Sequence, residues 1–308
     1  MTLKYRILPE QRRGKLKAAL AAGATLRVME AHNPLSALIA TAAAVDTPSG
    51  ERREFAGLWL SGFSAASSRA LPDVELSRFE KKLESIEEIA AATDKFLIAD
   101  GDTGGDALSF QYLCSRLEAL GVSAVIVEDK VFPKRTSLAA GVAHQLEDPP
   151  VFADKIARAR EVLLSHDFLI FARIESLIAG VGVEDALARA RVYLDSPADA
   201  IVIHSKDASA HDIFAFADGY RALCAQTGKR KPLVCIPTVY NFVTEQELST
   251  RGFSIIIHAN HQLRAACLAM QQVCRSILQH GRSLEADAMC VKLPELFAMI
   301  GVDERTNR

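Results

Sequence analysis

The sequence repeats one pattern eight times: a short apolar, β-branched run is followed by a longer stretch with helical periodicity. The connections are short, and the apolar runs are nearly continuous rather than alternating with polar residues. Strands of this kind are typical of parallel sheets that are covered on both faces. Eight of them in succession predict a closed α/β barrel of the TIM type, (β/α)8. The alternative is a doubly wound open sheet, but no glycine-rich phosphate loop follows the first apolar run.

The chain length fits this interpretation, because 308 residues are enough for one barrel with short additions. We expect a single barrel domain over residues 24–280, an N-terminal helical extension over 1–23 and a C-terminal helical tail over 281–308. Residues 46–54 are predicted to form a polar surface loop. The predicted strands cover residues 25–30, 55–60, 95–99, 123–127, 168–172, 200–203, 233–236 and 254–257.

Charge and composition exclude some classes of partner. A net charge of −2 gives no reason to expect binding to nucleic acid or to an acidic membrane surface. The N-terminus has no apolar signal core and no apolar run approaches about 18 residues, so we expect no membrane span and a cytoplasmic protein. The basic cluster Arg12, Arg13, Lys15 and Lys17 is interpreted as a solvated helix face.

The six cysteines show no CxxC pair and no metal-type spacing. Most lie within apolar helical or strand patterns, so they are predicted to be buried thiols in a reducing compartment.

Polar side chains gather directly after the predicted strands. In a barrel, the C-terminal ends of the strands converge on one mouth, where the active sites of such enzymes lie. Acids from adjacent strands would form an all-oxygen site there, of the kind that Mg²⁺ prefers. The alternative is that each acid caps a helix or pairs with a lysine. The residues concerned are Asp100, Asp102, Glu128, Asp129, Arg173, Glu175, His204 and Ser205.

Two of these residues are expected to face a ligand. Arg173 follows an apolar strand, where a cation is costly unless it is paired, and its planar fork suits carboxylate or phosphoryl oxygens. The alternative is a structural ion pair with Glu175 or Asp199. His204 follows its strand in the same way, and a satisfied core or rim histidine is its alternative.

Residues 125–138 combine acids at a strand end with groups that could bind an anion. A β-branched run ends in Glu128 and Asp129, and the following segment, 130–138, is rich in cations and hydroxyl groups. This order predicts a metal site with an anion-binding lid, and we call residues 130–138 the lid.

Seven short motifs are distributed along the strands and their C-terminal ends. They are EAHNPLSA at 30–37, WLSGF at 59–63, DGDTG at 100–104, EDKVFPK at 128–134, ARIE at 172–175, IHSK at 203–206 and ANH at 259–261. Together these motifs resemble the isocitrate lyase/phosphoenolpyruvate mutase superfamily, and within it the branch of phosphoenolpyruvate mutases and phosphonopyruvate hydrolases. The resemblance runs from about residue 27 to 281.

The resemblance implies a barrel whose last helix is exchanged with a neighbouring subunit, in a homodimer or a tetramer built as a dimer of dimers. It implies Mg²⁺ held by Asp100 directly, with Asp73, Asp102 and Glu128 acting largely through water. It also implies a small-molecule substrate. The residues implied to contact that substrate are Trp59, Ser61, Gly62, Phe63 and Asp73 around its carboxylate and carbonyl, Arg173 and His204 at its phosphoryl group, and Lys134, Thr136 and Ser137 on the lid.

The leading hypothesis is a phosphoenolpyruvate mutase, which interconverts phosphoenolpyruvate and phosphonopyruvate with Mg²⁺. Residues 205–206 and 259–265 are similar to those of mutases. The alternative is a phosphonopyruvate hydrolase, which forms pyruvate and phosphate. Thr136 favours it, because mutases usually carry Asn-Ser where this chain and the hydrolases carry Thr-Ser.

Two further classes are less favoured. A catalytically silent barrel is suggested by Gly105, which stands where the family usually has an aromatic residue. Segment 46–54 is a separate departure, because it is longer than is usual in the family. Carbon–carbon cleavage of the isocitrate lyase type is disfavoured, because those relatives carry a lid cysteine as proton donor and the lid here has none.

Overall fold

The structure is a computed structural model and describes residues 5, 7–76, 79–139 and 141–302. Within these residues, eight parallel strands close into a barrel, which confirms the predicted (β/α)8 fold. The strand bounds lie within two residues of the prediction. The strands are β1 (Leu26–Glu30), β2 (Ala44–Asp46), β3 (Arg52–Glu54), β4 (Gly57–Leu60), β5 (Phe96–Asp100), β6 (Ala124–Glu128), β7 (Leu169–Ile174), β8 (Ala200–Ile203), β9 (Leu233–Cys235) and β10 (Phe253–His258).

Around the barrel the order of hydrogen-bonded strands is β1-β10-β9-β8-β7-β6-β5-β4. The helices are α1 (Pro9–Ala21), α2 (Pro34–Ala42), α3 (Gly62–Ser67), α4 (Phe79–Ala91), α5 (Ala107–Ala119), α6 (Pro149–Glu161), α7 (Ser176–Ala179), α8 (Val183–Asp195), α9 (His211–Thr227), α10 (Glu245–Thr250), α11 (His261–His280) and α12 (Leu293–Ile300). The extension and the tail predicted from the sequence contain α1 and α12, and residues 1–4, 6 and 303–308 lie outside the described part.

Successive strand residues face opposite sides of the barrel wall. In β6, Val125 and Val127 pack in the outer apolar layer beneath the helices, whereas Ala124 and Ile126 belong to the core inside the barrel. All four are fully buried. Burial of a side chain such as Ile126 contributes roughly 2 kcal/mol, so the register of each strand is strongly specified.

Helix α1 covers the end of the barrel opposite the mouth. Leu16 is fully buried and belongs to the interior core. Arg12 is also buried, and its Nη2 donates to the carbonyl oxygens of Ala90 (2.6 Å) and Thr93 (2.9 Å). The prediction of a solvated basic face is therefore wrong for Arg12, which ties α1 to the end of α4.

The segment predicted as a polar loop over residues 46–54 is instead part of an antiparallel hairpin. Val45 pairs with Arg53 and Asp46 with Arg52, and all four residues are exposed. Gly50 adopts a φ of +81° in the connecting turn, which glycine tolerates without a Cβ clash. The strands carry no alternating apolar pattern, because neither face is buried, and this is why the sequence did not reveal them.

Helices α11 and α12 have no buried residue in this chain. Three of the cysteines predicted to be buried, Cys267, Cys274 and Cys290, are exposed, and Cys224 is half-buried. The prediction is wrong at these positions, and for the first three the reason is that the described chain offers α11 and the tail no surface that covers them. In the described part, no helix combines the length and the apolar character that a membrane span needs.

Candidate active site

The two-residue period of the strands places four predicted site residues in the mouth of the barrel. Phe96 and Ile98 face the barrel interior, so Asp100, two residues further along β5, does too. The same count applies at the ends of three further strands. The residues delivered in this way are Asp100, Glu128, Arg173 and His204, and each is at most 6% exposed.

These side chains surround a cavity of about 140 Å³ at the C-terminal ends of the strands. The volume suits a small organic acid. Ten of the thirteen predicted site residues line it, whereas Gly62, Asp102 and Glu128 lie directly behind that lining. The lining residues are Trp59, Ser61, Phe63, Asp73, Asp100, Lys134, Thr136, Ser137, Leu138, Arg173, His204, Ile236, Thr238, Ala259 and Asn260.

Asp100 is held by backbone donors. The N–H of Gly62 donates to its Oδ2 (2.9 Å), and the N–H of Asp102 donates to its Oδ1 (3.0 Å). There is no room for a side chain at position 62, because a Cβ there would lie 2.6 Å from Asp102 Oδ1 and 2.9 Å from Asp100 Oδ2. Gly62 therefore orients the Asp100 carboxylate, and the substrate contact that the resemblance implies for Gly62 stays a prediction.

Asp102 is enclosed by two ammonium groups. Lys134 Nζ lies 2.6 Å from its Oδ1 and Lys82 Nζ lies 2.5 Å from its Oδ2. Lys134 also reaches Asp73 Oδ1 at 3.0 Å. Burial alone would raise the pKa of Asp102, but the two lysines outweigh it and hold that pKa well below its usual value. Asp102 is therefore ionised at neutral pH.

Glu128 has the opposite environment. It is 1% exposed, and neither of its carboxylate oxygens accepts a hydrogen bond from the described part of the chain. Its nearest cationic groups, Lys130 Nζ and Arg173 Nη1, are each 3.6 Å away. Burial raises the pKa of Glu128 to about 7. A buried carboxylate without a donor is costly, so Glu128 has oxygen lone pairs available for a cation or an ordered water.

The donor set fits Mg²⁺ that is bound largely through water. Among the described residues, no three Asp, Glu, His or Cys side chains converge closely enough to coordinate one ion directly. Mg²⁺ usually keeps several waters and uses only one or two carboxylates. The open lone pairs of Glu128 and the oriented carboxylate of Asp100 meet this requirement.

Arg173 is the centre of a buried charged group. Its Nε donates to Glu175 Oε1 (2.7 Å), and its Nη2 lies 2.8 Å from His204 Nδ1. Burial lowers the pKa of Arg173, but Glu175 and Glu128 outweigh this effect and raise it above its ordinary value. The ion pair with Glu175, which was the alternative interpretation, is present, and Arg173 also lines the cavity.

The protonation state of His204 follows from its contacts. A guanidinium can only donate, so Nδ1 accepts and the ring proton lies on Nε2. Glu175 Oε1 is farther from Nδ1, at 3.5 Å, so Arg173 is the partner. Nε2 is buried and has no hydrogen-bond partner among the residues that the structure describes. Burial lowers the pKa of His204, so the ring is neutral at pH 7 and offers one N–H to a ligand.

Replacement of His204 by Asn should reduce the pH dependence of stability. Unfolded chains protonate the imidazole below about pH 6.5, whereas the folded state resists, so the free energy of unfolding falls as the pH drops below that value. Urea unfolding of the metal-free protein at pH 5.5 and 7.5 measures this difference. We expect a smaller difference for His204→Asn than for wild type or His211→Asn, an exposed control. An unchanged difference would contradict a neutral, buried His204.

The lid lies over the cavity and is tied to this charged group. Lys130 Nζ lies 2.7 Å from Glu175 Oε2 and donates to Ser137 Oγ (2.6 Å). Ser137 Oγ donates in turn to Glu175 Oε2 (2.9 Å) and accepts from Arg173 Nη2 (3.2 Å). The hydroxyl of Ser137 therefore connects the lid to Arg173, for which the family resemblance implies a contact with the phosphoryl group.

Asp129 supports the charged group of Arg173 and Glu175 through a hydrogen bond to the Glu175 backbone. It is fully buried and accepts from the backbone N–H of Glu175 (2.9 Å), Tyr193 Oη (2.7 Å) and Arg189 Nη1 (3.1 Å). Burial raises the pKa of Asp129 to about 6. Asp129 fixes the backbone of Glu175, which in turn orients Arg173.

Some site residues were not predicted from the sequence. Thr238 and Asn260 line the cavity after β9 and β10. Their position after strand ends could have revealed them, but both side chains are uncharged and carry no signal beyond that position. Lys82 reaches Asp102 from α4, and Glu75 reaches the lid from the segment after α3. Neither residue follows a strand, so a search for polar residues directly after the strands does not find them.

Comparison with known proteins identifies the family. A model of the family described as phosphoenolpyruvate phosphomutase matches residues 16–278. The chain belongs to the phosphoenolpyruvate phosphomutase family. The resemblance deduced from the motifs is thereby confirmed.

Both activities of this branch are represented among relatives of the chain. The phosphonopyruvate hydrolase of Variovorax sp. (strain Pal2) is 37% identical, and the alignment covers 94% of each chain. The phosphoenolpyruvate phosphomutase of Streptomyces platensis subsp. rosaceus is 33% identical in its crystal structure, with a TM-score of 0.85 over 95% of this chain and 96% of that one. A crystal structure of phosphonopyruvate hydrolase with oxalate and Mg²⁺ has a TM-score of 0.82 and 35% identity over 98% and 97% of the two chains.

Proposed function

We propose that the chain is a Mg²⁺-dependent phosphonopyruvate hydrolase, which cleaves the carbon–phosphorus bond to give pyruvate and phosphate. The observation that carries this proposal is the position of one hydroxyl group in the lid: Thr136 Oγ1 donates to the backbone carbonyl of Asp73 at 2.9 Å. The sequence motifs favour the mutase reaction, whereas the hydrogen bond of Thr136 supports the hydrolase reaction.

A hydroxyl group has one proton and two lone pairs. The proton of Thr136 is used by Asp73, so towards the cavity the hydroxyl presents only acceptor lone pairs. Phosphoryl oxygens also only accept, so this hydroxyl does not hold the phosphoryl group. A water molecule can donate to it. Thr136 therefore supports orientation of a water and not retention of the phosphoryl group for return to the pyruvate.

Arg173 and His204 would bind the phosphoryl group. The guanidinium carries fixed positive charge, and the Nε2–H of neutral His204 is a free buried donor beside it. Phosphoryl transfer passes through a loose, metaphosphate-like state in which the protein mainly positions the group and neutralises charge. Donors that are already held by Glu175 need little reorganisation, which is the main source of such stabilisation.

Asp100 and Glu128 would hold the ion, with Asp73 and Asp102 in contact through water. When bound, Mg²⁺ supplies Lewis-acid polarisation of the substrate carbonyl and carboxylate oxygens. In the proposed step, the carbon–phosphorus bond breaks and its electron pair remains on the pyruvate enolate. The phosphoryl group passes to water, and the enolate takes a proton at its methylene carbon to give pyruvate.

The second candidate is phosphoenolpyruvate mutase, and the lid favours it. Lys134, Thr136, Ser137 and Leu138 all line the cavity, so the lid restricts the entry of water. Exclusion of water protects a phosphoryl group that must return to the enolate oxygen. Phosphorus NMR of purified protein with phosphonopyruvate and Mg²⁺ separates the two reactions by their products.

We also propose that α11, the last helix of the barrel, packs on a second copy of the chain. One stripe of α11 carries apolar or thiol side chains at heptad-like spacing, and in this chain none of them is buried. The stripe comprises Leu263, Cys267, Met270, Cys274 and Ile277. Exposure of such a continuous stripe marks an interaction site, and it agrees with the helix exchange that the family resemblance implies.

This assembly predicts a dimer or tetramer in solution. Met270 is 58% exposed in the single chain, so Met270→Glu would place a charge within the proposed interface. We expect light scattering to show a mass of at least two chains for wild type and a lower mass for Met270→Glu. Gln271→Glu, on an exposed position of the same helix, is the matched control. A monomeric wild-type protein would refute the proposal.

A further inference from the structure

The carboxylate of Glu75 connects the lid to the loop after β5, which carries Asp102. Glu75 lies in the segment 71–76 that follows α3. Its Oε2 accepts from the backbone N–H of Lys134 in the lid, at 2.7 Å. Its Oε1 accepts from both the backbone N–H (3.0 Å) and the hydroxyl (2.7 Å) of Thr103. The two oxygens of one side chain therefore bond to two separate segments at the mouth.

The same short segment contacts the lid at two further points. Asp73 Oδ1 lies 3.0 Å from Lys134 Nζ, and the carbonyl of Asp73 accepts from Thr136 Oγ1 at 2.9 Å. Contacts therefore reach the lid backbone at residue 134, the lid ammonium and the lid hydroxyl. Of these, only the bond from Glu75 fixes the main chain of Lys134.

The backbone of Glu75 indicates that its conformation serves these contacts. Its φ is +58°, in the left-handed region that is unfavourable for a residue with a Cβ. Such conformations persist only where the surroundings hold them, and they are concentrated at functional sites. Three hydrogen bonds to the Glu75 carboxylate, two from Thr103 after β5 and one from Lys134 in the lid, provide that restraint.

We propose that Glu75 is a positioning residue that latches the lid and thereby sets the Lys134 ammonium against the acids. Thr103 follows Asp102 directly, so Glu75 bonds the lid to the same loop that supplies the Asp102 carboxylate. The main chain of Lys134 is thereby held at a fixed distance from the loop that carries Asp102, the carboxylate that the Lys134 ammonium contacts. Because the latch acts on substrate enclosed by the lid, the inference rests on the proposed function.

Glu75→Gln tests the latch with an almost unchanged shape. The amide oxygen can still accept from Thr103, but the other terminal atom becomes an NH₂ group, which cannot accept from the Lys134 N–H. Loss of a hydrogen bond to a charged group changes a local equilibrium by about tenfold or more. The lid contains Lys134 and the exposed Arg135, both trypsin sites, so the rate of cleavage there reports how often the lid opens.

We expect trypsin to cleave the lid of Glu75→Gln about tenfold faster than that of wild type, with the urea midpoint of global unfolding unchanged and kcat/KM for phosphonopyruvate reduced. Glu88→Gln, an exposed substitution on α4, should behave as wild type. Glu75→Asp keeps the charge but is one methylene too short to reach both segments, and it should also be cleaved faster. Wild-type cleavage rates in both Glu75 variants, or in Glu75→Asp if Glu75→Gln does not fold, would overturn the latch.

The same experiment with Mg²⁺ and oxalate separates the latch from the proposed function. If Mg²⁺ and oxalate together slow cleavage of the wild-type lid, the ligand-binding part of the proposed function is supported. If they slow cleavage of none of the proteins, that part of the function is contradicted, while the comparison of Glu75→Gln with wild type in the absence of ligand still decides the latch.

Discussion

Arg173→Lys is expected to lower kcat/KM for phosphonopyruvate by about a thousandfold, or roughly 4 kcal/mol of transition-state stabilisation. Lysine keeps the positive charge, but it cannot donate to Glu175, to His204 and to a phosphoryl oxygen in the fixed plane of a guanidinium. The charge of the buried group stays balanced, so we expect the protein to fold. Steady-state kinetics with circular dichroism of the same samples measure both effects.

The control is Arg191→Lys, which makes the same chemical change at an exposed position on α8. It should leave kcat/KM unchanged. If kcat/KM of Arg173→Lys fell by less than tenfold, positive charge alone would be sufficient at this position. The proposal that the planar guanidinium of Arg173 binds the phosphoryl group would then be contradicted.

Thr136→Asn is expected to shift the partition between phosphoenolpyruvate and phosphate towards phosphoenolpyruvate by about tenfold, the equivalent of one hydrogen bond of ~1.4 kcal/mol. Phosphoenolpyruvate should then become detectable beside phosphate. The amide brings two donors to a position where the threonine hydroxyl has already given its proton to Asp73. A donor over the phosphoryl group would retain it until the enolate oxygen attacks. Phosphorus NMR of the reaction mixture gives the ratio directly.

Thr250→Asn, on an exposed position of α10, makes the same change away from the cavity and should leave the product ratio at the wild-type value. The role assigned to Thr136 would be refuted if Thr136→Asn retained activity and produced phosphate and phosphoenolpyruvate in the wild-type ratio.

The barrel and the main charged residues could be predicted because both depend on local sequence. The period of two along each strand fixes which side chains face inward, so Asp100, Glu128, Arg173 and His204 follow from counting beyond the apolar residues of their strands. The convergence of strand ends at one mouth then brings residues from distant parts of the chain together.

The remaining features depend on tertiary contacts. Lys82 lies on a helix face that resembles any solvated face, and only the packing of α4 shows that its ammonium reaches Asp102. The hydroxyl of Thr136 could have faced the cavity or the backbone, and the choice of Asp73 as acceptor is visible only in the structure. The exposure of α11 depends on which surfaces the described chain offers that helix, and its apolar pattern alone does not reveal it.

The most direct test of the proposed function is phosphorus NMR of purified wild-type protein with phosphonopyruvate and Mg²⁺. We predict that the phosphonopyruvate signal is replaced by that of inorganic phosphate, that pyruvate forms in equal amount, and that removal of Mg²⁺ by a chelator stops the reaction. Conversion to phosphoenolpyruvate in place of phosphate, or no reaction at all, would contradict the proposal.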